Sequence, residues 1–478
     1  MQVAIIGAGF GGLGMAMQLA RRGERRFAIF ERGDGVGGCW RANTYPGAAC
    51  DIPSHLYSFS FAPGHAWSRA FAPQPEILAY LEGCAAAYGL GPHLRTNTEV
   101  RGARFDAAAG VWRLDLGGGE HVAARALVVA TGQLSRPAYP AIPGRETFAG
   151  PAFHSARWDH TARLDGARVA VIGTGASAIQ FIPAIAPRAG RLLVFQRSAP
   201  YVVPKPDRAL PGWERALRRR FHTLDAATRA RIYAANELRA FALSIPDLTR
   251  FYTWLARRQL AHQIRDSALR AKLTPDYPIG CKRVLLSNDF YPALARDNVD
   301  VITDRIARIS PRGIVTADGR EHAADAIVYG TGFTANDFLA PMTIANAAGA
   351  TLDGAWRAGA EAYLGITVTG FPNLFLLYGP NTNLGHNSII YMLECQIAYV
   401  MQCLEQLHRV RALDVRGDVQ GAFNTSLQQQ LADSVWAGDC TSWYKTADGK
   451  ITNNWPGYTF TYGRLTRRLQ LRDYQITP

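Results

Sequence analysis

The chain has 478 residues, of which 48% are hydrophobic and 19% charged, so it is long enough for two or three domains and too apolar for a disordered protein. No apolar run approaches the roughly 20 residues that a membrane span requires. The net charge of +14 is not concentrated in basic runs interleaved with aromatic residues, which argues against nucleic acid as a partner and favours an enzyme for anionic cofactors.

The N-terminus is predicted to form a β-α-β unit. An apolar strand at residues 2–6 precedes a glycine-rich turn, an alanine-rich helix covers residues 13–22, and a second strand covers residues 27–30. Five glycines interrupt the apolar character of the first 20 residues, and no clean cleavage site follows. The pattern therefore favours a buried strand and turn over a signal peptide.

The glycine-rich turn has the spacing of a dinucleotide-binding site. Gly7 allows the tight turn, Gly9 lets the backbone approach a pyrophosphate, and Gly12 lets the helix pack on the strand. The N-terminus of the helix then faces the phosphates with its positive dipole end. Glu31, at the end of the second strand, would accept hydrogen bonds from a ribose hydroxyl. We interpret this unit as the site of FAD.

A second dinucleotide motif follows another apolar strand. It keeps Gly173 and Gly175 but has Ala178 in place of the third glycine, and its second strand ends at residues 196–198 without an acid. A carboxylate there would repel a 2′-phosphate, whereas Arg197 would pair with one. The motif therefore predicts NADPH rather than NADH, and a solvated surface position for Arg197 is the alternative.

Two further strands lead into glycine turns. Residues 126–130 precede Thr131 and Gly132, and residues 326–329 precede a turn that contains Gly332. Each turn suggests a crossing between dinucleotide-binding domains, and the second lies far from the first glycine motif.

The predicted fold is α/β, with two Rossmann-like, three-layer domains, the second inserted in the first. The predicted pieces are a discontinuous FAD-binding domain at 1–140 and 326–478, an NADP-binding domain at 141–207 and 273–325, and a helical insertion at 208–272.

The insertion is strongly basic. It contains 13 arginines and one lysine against five acids, a net charge of +9, and its apolar residues recur at helical spacing. The pattern favours an amphipathic helical insertion with a solvated face. A substrate-entry lid and a membrane-surface patch are the alternatives.

The seven cysteines are scattered singly, without a CxxC pair. This argues against a disulfide scaffold, a metal site or a dithiol reductase, and it favours a reducing cytoplasm. Two dinucleotide sites without a redox cysteine pair indicate that NADPH gives hydride to FAD, which must pass its electrons on. Oxygen is the obvious acceptor, which would make the protein a monooxygenase.

The segment between the two dinucleotide motifs resembles a known fingerprint. Residues 148–159, FAGPAFHSARWD, resemble the FxGxxxHxxxW(P/D) pattern of type I Baeyer–Villiger monooxygenases. Related flavin-containing and N-hydroxylating monooxygenases usually carry another residue at the position of Trp158, so Trp158 and Asp159 favour the Baeyer–Villiger branch.

The resemblance covers essentially the whole chain. Residues 37–40 and 45–51 look like the flavin-proximal segment of the family, residues 280–283 like its catalytic arginine segment, and residues 442–444 like its C-terminal active-site loop. Closest to the 4-hydroxyacetophenone monooxygenase subgroup are residues 378–383 and 453–458.

The resemblance implies catalytic roles for Arg283 and Asp51. A permanently cationic arginine near the flavin peroxide keeps the peroxide deprotonated, so that it attacks the carbonyl carbon of a ketone. Asp51 would orient Arg283 through a charge-assisted hydrogen bond. The alternative is an ordinary ion pair, or two residues that never meet across 232 positions.

The other predicted site residues bind the two cofactors. Lys282 would contact the 2′-phosphate of NADPH, and Trp443 would close over nicotinamide or substrate from a mobile loop. Trp40 and Tyr57 would line the flavin ring, with a core aromatic role as the alternative. The full predicted cofactor-binding set is Gly7, Gly9, Gly12, Glu31, Gly38, Trp40, Asp51, Tyr57, Thr131, Gly132, Gly173, Gly175, Ser177, Arg197, Ser198, Lys282, Gly332 and Trp443.

Two residues are set apart from this list. His154 lies in an inter-domain linker and is predicted to be a structural hydrogen-bonding residue, since the fingerprint controls domain motion in the family. Thr334 follows the last glycine turn, where many family members have aspartate, and this leaves the local hydrogen bonding open.

We therefore expect an FAD- and NADPH-dependent monooxygenase that inserts one oxygen atom of O2 next to a ketone carbonyl and gives an ester or lactone. The subgroup resemblance favours aryl or bulky ketones. The alternatives are a flavin monooxygenase that oxygenates nitrogen or sulfur, and a non-catalytic protein that senses dinucleotides.

Overall fold

The computed structural model describes residues 1–243, 246–438, 440 and 442–478. Residues 244 and 245, in the predicted helical insertion, lie outside the described residues.

The strands are mostly short and apolar. They are β1 (Val3–Ile6), β2 (Phe27–Phe30), β3 (Leu94–Arg95), β4 (Val100–Asp106), β5 (Val111–Leu116), β6 (Glu120–Ala124), β7 (Ala126–Val129), β8 (Ala152–His154), β9 (Arg168–Ile172), β10 (Arg191–Phe195), β11 (Val202–Val203), β12 (Leu285–Leu286), β13 (Val299–Ile302), β14 (Ile306–Ser310), β15 (Gly313–Thr316), β16 (Glu321–Ala323), β17 (Ala326–Tyr329), β18 (Thr343–Ala345), β19 (Leu374–Leu376), β20 (Ala412–Val415) and β21 (Tyr474–Thr477).

The helices include a run of four in the middle of the chain. They are α1 (Phe10–Arg21), α2 (Cys39–Ala42), α3 (Gln74–Ala87), α4 (Ala178–Ile185), α5 (Gly212–Arg220), α6 (His222–Leu243), α7 (Pro246–Gln263), α8 (Ser267–Lys272), α9 (Phe290–Leu294), α10 (Leu352–Ala355), α11 (Ile389–Gln406), α12 (Gly417–Ala432) and α13 (Thr459–Leu465).

The first parallel sheet has the strand order β19-β7-β1-β2-β3. Helices α1, α3 and α11 pack on one face, and the antiparallel strands β4, β5 and β6 cover the other. All residues of β1 and β7 are buried, because both faces of the sheet are covered.

The second parallel sheet has the order β13-β10-β9-β17-β8. Helices α4 and α9 pack on one face, and the antiparallel strands β14, β15 and β16 pack on the other. Each parallel sheet is thus the middle layer of three, which confirms the predicted α/β class with Rossmann-like domains.

Strand β17 differs from the predicted domain boundary. The prediction starts the second piece of the FAD-binding domain at residue 326, whereas Ala326–Tyr329 pairs with β9 and β8 of the second sheet. An apolar strand before a Thr-Gly turn occurs in both sheets, so the pattern alone does not decide between them. The division into domains stays a prediction, with this boundary moved beyond Tyr329.

The helical insertion contacts both halves of the molecule. Leu260 of helix α7, and Ile264 directly after that helix, are buried in the core of the second sheet. From α6, the Nη1 of Arg229 donates to the carbonyl oxygen of Ser58 at 2.6 Å, and its Nη2 lies 3.5 Å from the Glu394 carboxylate. These contacts fix the insertion against both halves of the molecule.

None of the helices in the described part of the chain combines the length and the apolar character that crossing a bilayer demands.

Candidate active site

A continuous cavity of about 2090 Å³ lies at the carboxyl ends of both parallel sheets. It is lined by the turns after β1 and β9, which carry the two glycine motifs. Ligands of open α/β sheets bind at these strand ends. Every predicted site residue except Gly12 lines this cavity, including Arg283 and Asp51.

The first glycine turn requires glycine at two positions. Gly7 has φ +101°, and a Cβ there would lie 2.6 Å from the carbonyl oxygen of Ala130. A Cβ on Gly12 would lie 1.8 Å from the carbonyl oxygen of Gly7, which explains why this residue supports the turn from behind instead of lining the cavity. The turn is therefore shaped for close approach of a pyrophosphate, as FAD requires.

Glu31 braces the same turn. Its carboxylate accepts hydrogen bonds from the backbone N–H of Ala8 at 2.8 Å and of Gly33 at 2.7 Å. A carboxylate has about four acceptor sites, so capacity for a ribose hydroxyl remains. In the same cavity, the indole N–H of Trp40 donates to the hydroxyl of Tyr57 at 3.1 Å. Both rings also pack on the core of the first domain, which supports the core aromatic role, and the contact with the flavin ring stays a prediction.

The second motif faces a cationic cluster. The Nζ of Lys282 donates to the Oγ of Ser198 at 2.9 Å and lies 4.3 Å from the centre of the Tyr277 ring. Burial, reinforced by the charge of Arg197, lowers the pKa of Lys282. Lys282 and Arg197 carry like charges that repel each other. An anion such as a 2′-phosphate would relieve this repulsion by binding between them.

Arg283 and Asp51 meet although 232 residues separate them. The Nε of Arg283 donates to Oδ2 of Asp51 at 3.0 Å, and its Nη2 donates to the same oxygen. Burial by itself would raise the pKa of Asp51, but the charge and hydrogen bonds of Arg283 hold that pKa below its usual value. The carboxylate in turn raises the pKa of Arg283, so the pair stays ionised at neutral pH.

Two tyrosines share the electrostatic environment of Arg283. The hydroxyl of Tyr378 donates to Oδ1 of Asn383 at 2.7 Å, and the backbone of Tyr378 has φ +62°. The hydroxyl of Tyr444 is buried and has no hydrogen-bond partner among the described residues. Both hydroxyls keep their protons at neutral pH, since burial raises the pKa of each.

A disulfide joins Cys281 to Cys440. Cys281 lies two residues before Arg283, and Cys440 lies three residues before Trp443, so the bond ties the two predicted active-site segments together. The cysteines are scattered singly along the sequence, which argued against a disulfide scaffold. This pair could not be recognised from the sequence, because 159 residues separate its members. Five other cysteines are free.

His154 is fully buried at the end of β8. Its Nδ1 accepts a hydrogen bond from the backbone N–H of Ala156 at 3.1 Å, and its ring meets those of Tyr139 and Phe333 edge-on. Burial lowers its pKa to about 4. A neutral, enclosed imidazole between the two dinucleotide motifs supports the predicted structural role.

The sequence left the hydrogen bonding of the Thr334 side chain open. Its Oγ1 is buried without a hydrogen-bond partner among the described residues. Asn336, two residues on, makes the local contacts instead: its Nδ2 donates to the carbonyl oxygen of Lys445 at 2.9 Å, and its Oδ1 accepts from the hydroxyl of Thr452 at 3.1 Å.

Sequence reasoning missed one wall of the cavity. Asn383, Leu384 and Asn387 line it. Nδ2 of Asn387 donates at 2.6 Å to the buried carboxylate of Glu237 on α6, which also accepts from the hydroxyl of Thr459. An acid in an arginine-rich helical segment indicates a solvated face, so only the contacts across 150 residues show this link.

The sequence of the chain is similar to those of known proteins. A model of the pyridine nucleotide-disulphide oxidoreductase family matches residues 1–220. A Baeyer–Villiger monooxygenase of Pseudomonas aeruginosa is 48% identical over 481 residues, covering 100% of this chain and 91% of that protein. One from Streptomyces coelicolor is 47% identical, covering 100% and 92%.

Two solved structures superpose over the whole chain. An oxidized steroid monooxygenase bound to NADP has a TM-score of 0.89 at 31% sequence identity, and a closed cyclohexanone monooxygenase has a TM-score of 0.89 at 27% identity. Each match covers 100% of this chain and 99% of the other.

Proposed function

The chain belongs to the type I Baeyer–Villiger monooxygenases, and on that premise we propose that Arg283, held by Asp51, makes its cavity a ketone-oxygenating site. The protein is an NADPH-dependent FAD monooxygenase that acts on a ketone with O2. The observation that carries the residue assignment is that this ion pair lies in the same cavity as both glycine motifs.

The residues present fit both cofactors. The Gly7 turn has no room for a side chain and would hold the FAD pyrophosphate, while Lys282, Arg197 and Ser198 would hold the 2′-phosphate of NADPH. Bound FAD, reduced by NADPH, supplies the activation of O2. Family membership favours a ketone over the predicted nitrogen, sulfur or non-catalytic alternatives.

Arg283 acts through a charge that does not titrate. When a nucleophile attacks a ketone carbonyl, negative charge develops on the carbonyl oxygen, and a fixed cation nearby stabilises it. A guanidinium has five N–H donors, of which Asp51 occupies two and the carbonyl oxygen of Leu384 accepts a third at 3.5 Å. The remaining donors are available for reacting oxygen atoms, and Asp51 fixes their direction.

The test is replacement of Arg283 with alanine. In Arg283→Ala, ester formation should fall roughly a hundredfold or more, because a preorganised donor to the developing oxyanion is lost. FAD should remain bound, since Arg283 is not part of the glycine turn. The measurements are ester yield by mass spectrometry and FAD content by absorbance.

Arg168→Ala is the control, because it removes an arginine whose ion pair with Asp325 lies outside the cavity. It should keep wild-type ester yield. A near-normal yield from Arg283→Ala would overturn the assignment.

Aryl or bulky ketones of the 4-hydroxyacetophenone monooxygenase subgroup are the proposed substrate class. The two segments that resemble that subgroup pack on each other beside the cavity: the backbone N–H of Asn383 donates to the carbonyl oxygen of Asn453 at 2.9 Å, and Nδ2 of Asn383 donates to Oδ1 of Asn454 at 2.7 Å. We expect larger kcat/KM for acetophenones than for cyclohexanone in a product screen under oxygen. The reverse order would remove the subgroup proposal and leave the family assignment intact.

A cytoplasmic location is also proposed. Five free cysteines, of which Cys50, Cys84 and Cys403 are buried, support a reducing compartment, while the Cys281–Cys440 bond does not. Cell fractionation tests this proposal: we expect the protein in the cytoplasmic fraction.

A further inference from the structure

The helical insertion exposes large apolar side chains to solvent. Trp213 is 70% exposed, Leu238 67% and Trp254 51%. Side chains of these types are usually buried in the core of a folded protein. The name insertion surface is used below for the exposed apolar residues of the insertion together with three arginines. The apolar residues are Trp213, Leu217, Phe221, Leu224, Leu238, Phe241, Leu248, Phe251 and Trp254, and the arginines are Arg219, Arg220 and Arg258.

On α7 these side chains form a stripe that faces away from the protein. Leu248, Phe251 and Trp254 recur every third residue, and the rings of Phe251 and Trp254 stack with centroids 5.7 Å apart. The buried residues Ala256 and Leu260 lie on the opposite side of the helix. This helix therefore has one apolar face that packs on the protein core and a second apolar face that no element of the described residues covers.

Arginines lie among the exposed rings. The guanidinium of Arg258 is 5.2 Å from the centre of the Trp254 ring, and that of Arg220 is 5.5 Å from the centre of the Phe221 ring. Arg219, Arg220 and Arg258 have no carboxylate within ion-pair distance among the described residues, in contrast to Arg218 on the same helix. Their charge is thus available to an external anion.

We propose that the insertion surface docks the protein on an anionic lipid bilayer. Helices with tryptophan, phenylalanine and leucine beside arginine lie in the interface plane of such bilayers, with the apolar side chains among the acyl chains and the arginines at the headgroups. The insertion carries +9 of the net charge of +14, so two copies of the chain repel each other at this surface. Side chains exposed by half or more project from their helices instead of lining a groove, which favours insertion into lipid over capture of a partner peptide.

The experiment is flotation of the FAD-loaded protein with vesicles. Vesicles of phosphatidylcholine with phosphatidylglycerol should carry the protein, vesicles of phosphatidylcholine alone should carry much less, and added salt should weaken binding because it screens the headgroups. The double variant F251S/W254S should lose most binding. The double variant R219Q/R220Q should bind about fivefold more weakly for each arginine removed.

Leu465→Ser with Ile476→Ser is the matched control, since both residues are similarly exposed, at 50% and 42%, and lie outside the insertion. The control should float like the wild type, and all variants should keep NADPH oxidation without vesicles, which shows that they fold. Absence of wild-type binding to the anionic vesicles overturns the proposal, as does binding that F251S/W254S leaves unchanged. Self-association in sedimentation equilibrium that the same substitutions abolish would assign the surface to a second copy.

Discussion

Burial is the main cause of the low pKa of His154, while a backbone hydrogen bond with Gly332 raises the pKa and the charge of Arg157 lowers it further. Its pKa lies at about 4, below the usual 6.5. The unfolded chain binds a proton at this histidine as the pH falls through 6.5, whereas the folded chain binds it only near pH 4. The stabilising contribution of the neutral imidazole is therefore fully present above pH 6.5 and declines between pH 6.5 and 4.

Replacement of His154 with glutamine should remove this dependence. We expect the difference in unfolding free energy between wild type and His154→Gln to shrink by about 2 kcal/mol from pH 7 to pH 5. Urea titrations at the two pH values measure it. His55 also has a pKa of about 4, but it is present in both proteins and cancels.

A difference between wild type and His154→Gln that does not change with pH would mean that the folded protein lets this histidine take up a proton.

At the scale of elements, the turn between β1 and α1 brings backbone atoms so close together that no side chain fits at Gly12. Gly12→Ala would place a Cβ 1.8 Å from the Gly7 carbonyl oxygen, so strand and helix must separate. We expect the purified variant to lose most of its FAD, measured by absorbance. Gly83→Ala, in α3, has no atom within 4 Å of the new Cβ and should keep FAD and gain about 0.5–1 kcal/mol of stability. Retention of FAD by Gly12→Ala would contradict the packing.

Helix α6 is linked to the cavity wall through Glu237, a residue that is 9% exposed. Burial alone would raise the pKa of this group, but its hydrogen bonds hold the pKa below the usual value. Glu237→Ala removes the carboxylate that accepts from the side chains of Asn387 and Thr459 and from the backbone N–H of Thr459, and it should cost about 2–4 kcal/mol of stability. Because Asn387 lines the cavity, KM for the ketone should also rise, with FAD content unchanged.

Glu237→Gln keeps an acceptor oxygen and should recover part of both effects. Glu405→Ala, which removes an exposed ion pair with Arg22 at 3.9 Å, is the control and should cost no more than about 1 kcal/mol. An unchanged ketone KM in both Glu237 variants would show that helix α6 has no influence on ketone binding.

These elements differ in how far the sequence determines them. The Gly7 turn is local, so glycine spacing and apolar strands were enough to predict its shape. The Arg283–Asp51 pair spans 232 residues and was predicted only through family resemblance. The link from Glu237 to Asn387 and the Cys281–Cys440 bond carry no local pattern, because a contact between distant segments depends on how whole elements pack. Strand β17 shows the intermediate case, in which its type was predictable and its sheet was not.

Across the whole molecule, one cavity joins two sheets that the chain builds from interleaved segments. Residues 1–140 contribute Gly7, Asp51 and Trp40, the second sheet contributes the turn after β9, and the C-terminal part contributes Trp443. The insertion packs on both sides through Leu260 and Arg229. The lining of this cavity therefore comes from both parallel sheets and from the C-terminal part of the chain.

The Cys281–Cys440 bond adds a covalent consequence to this arrangement. A protease cut in the insertion leaves two fragments that separate on a denaturing gel without a thiol. A cut anywhere between 282 and 439 leaves fragments that migrate together until the gel is reduced. Even in a denatured, nicked chain, the segment with Trp443 remains attached to the segment with Arg283.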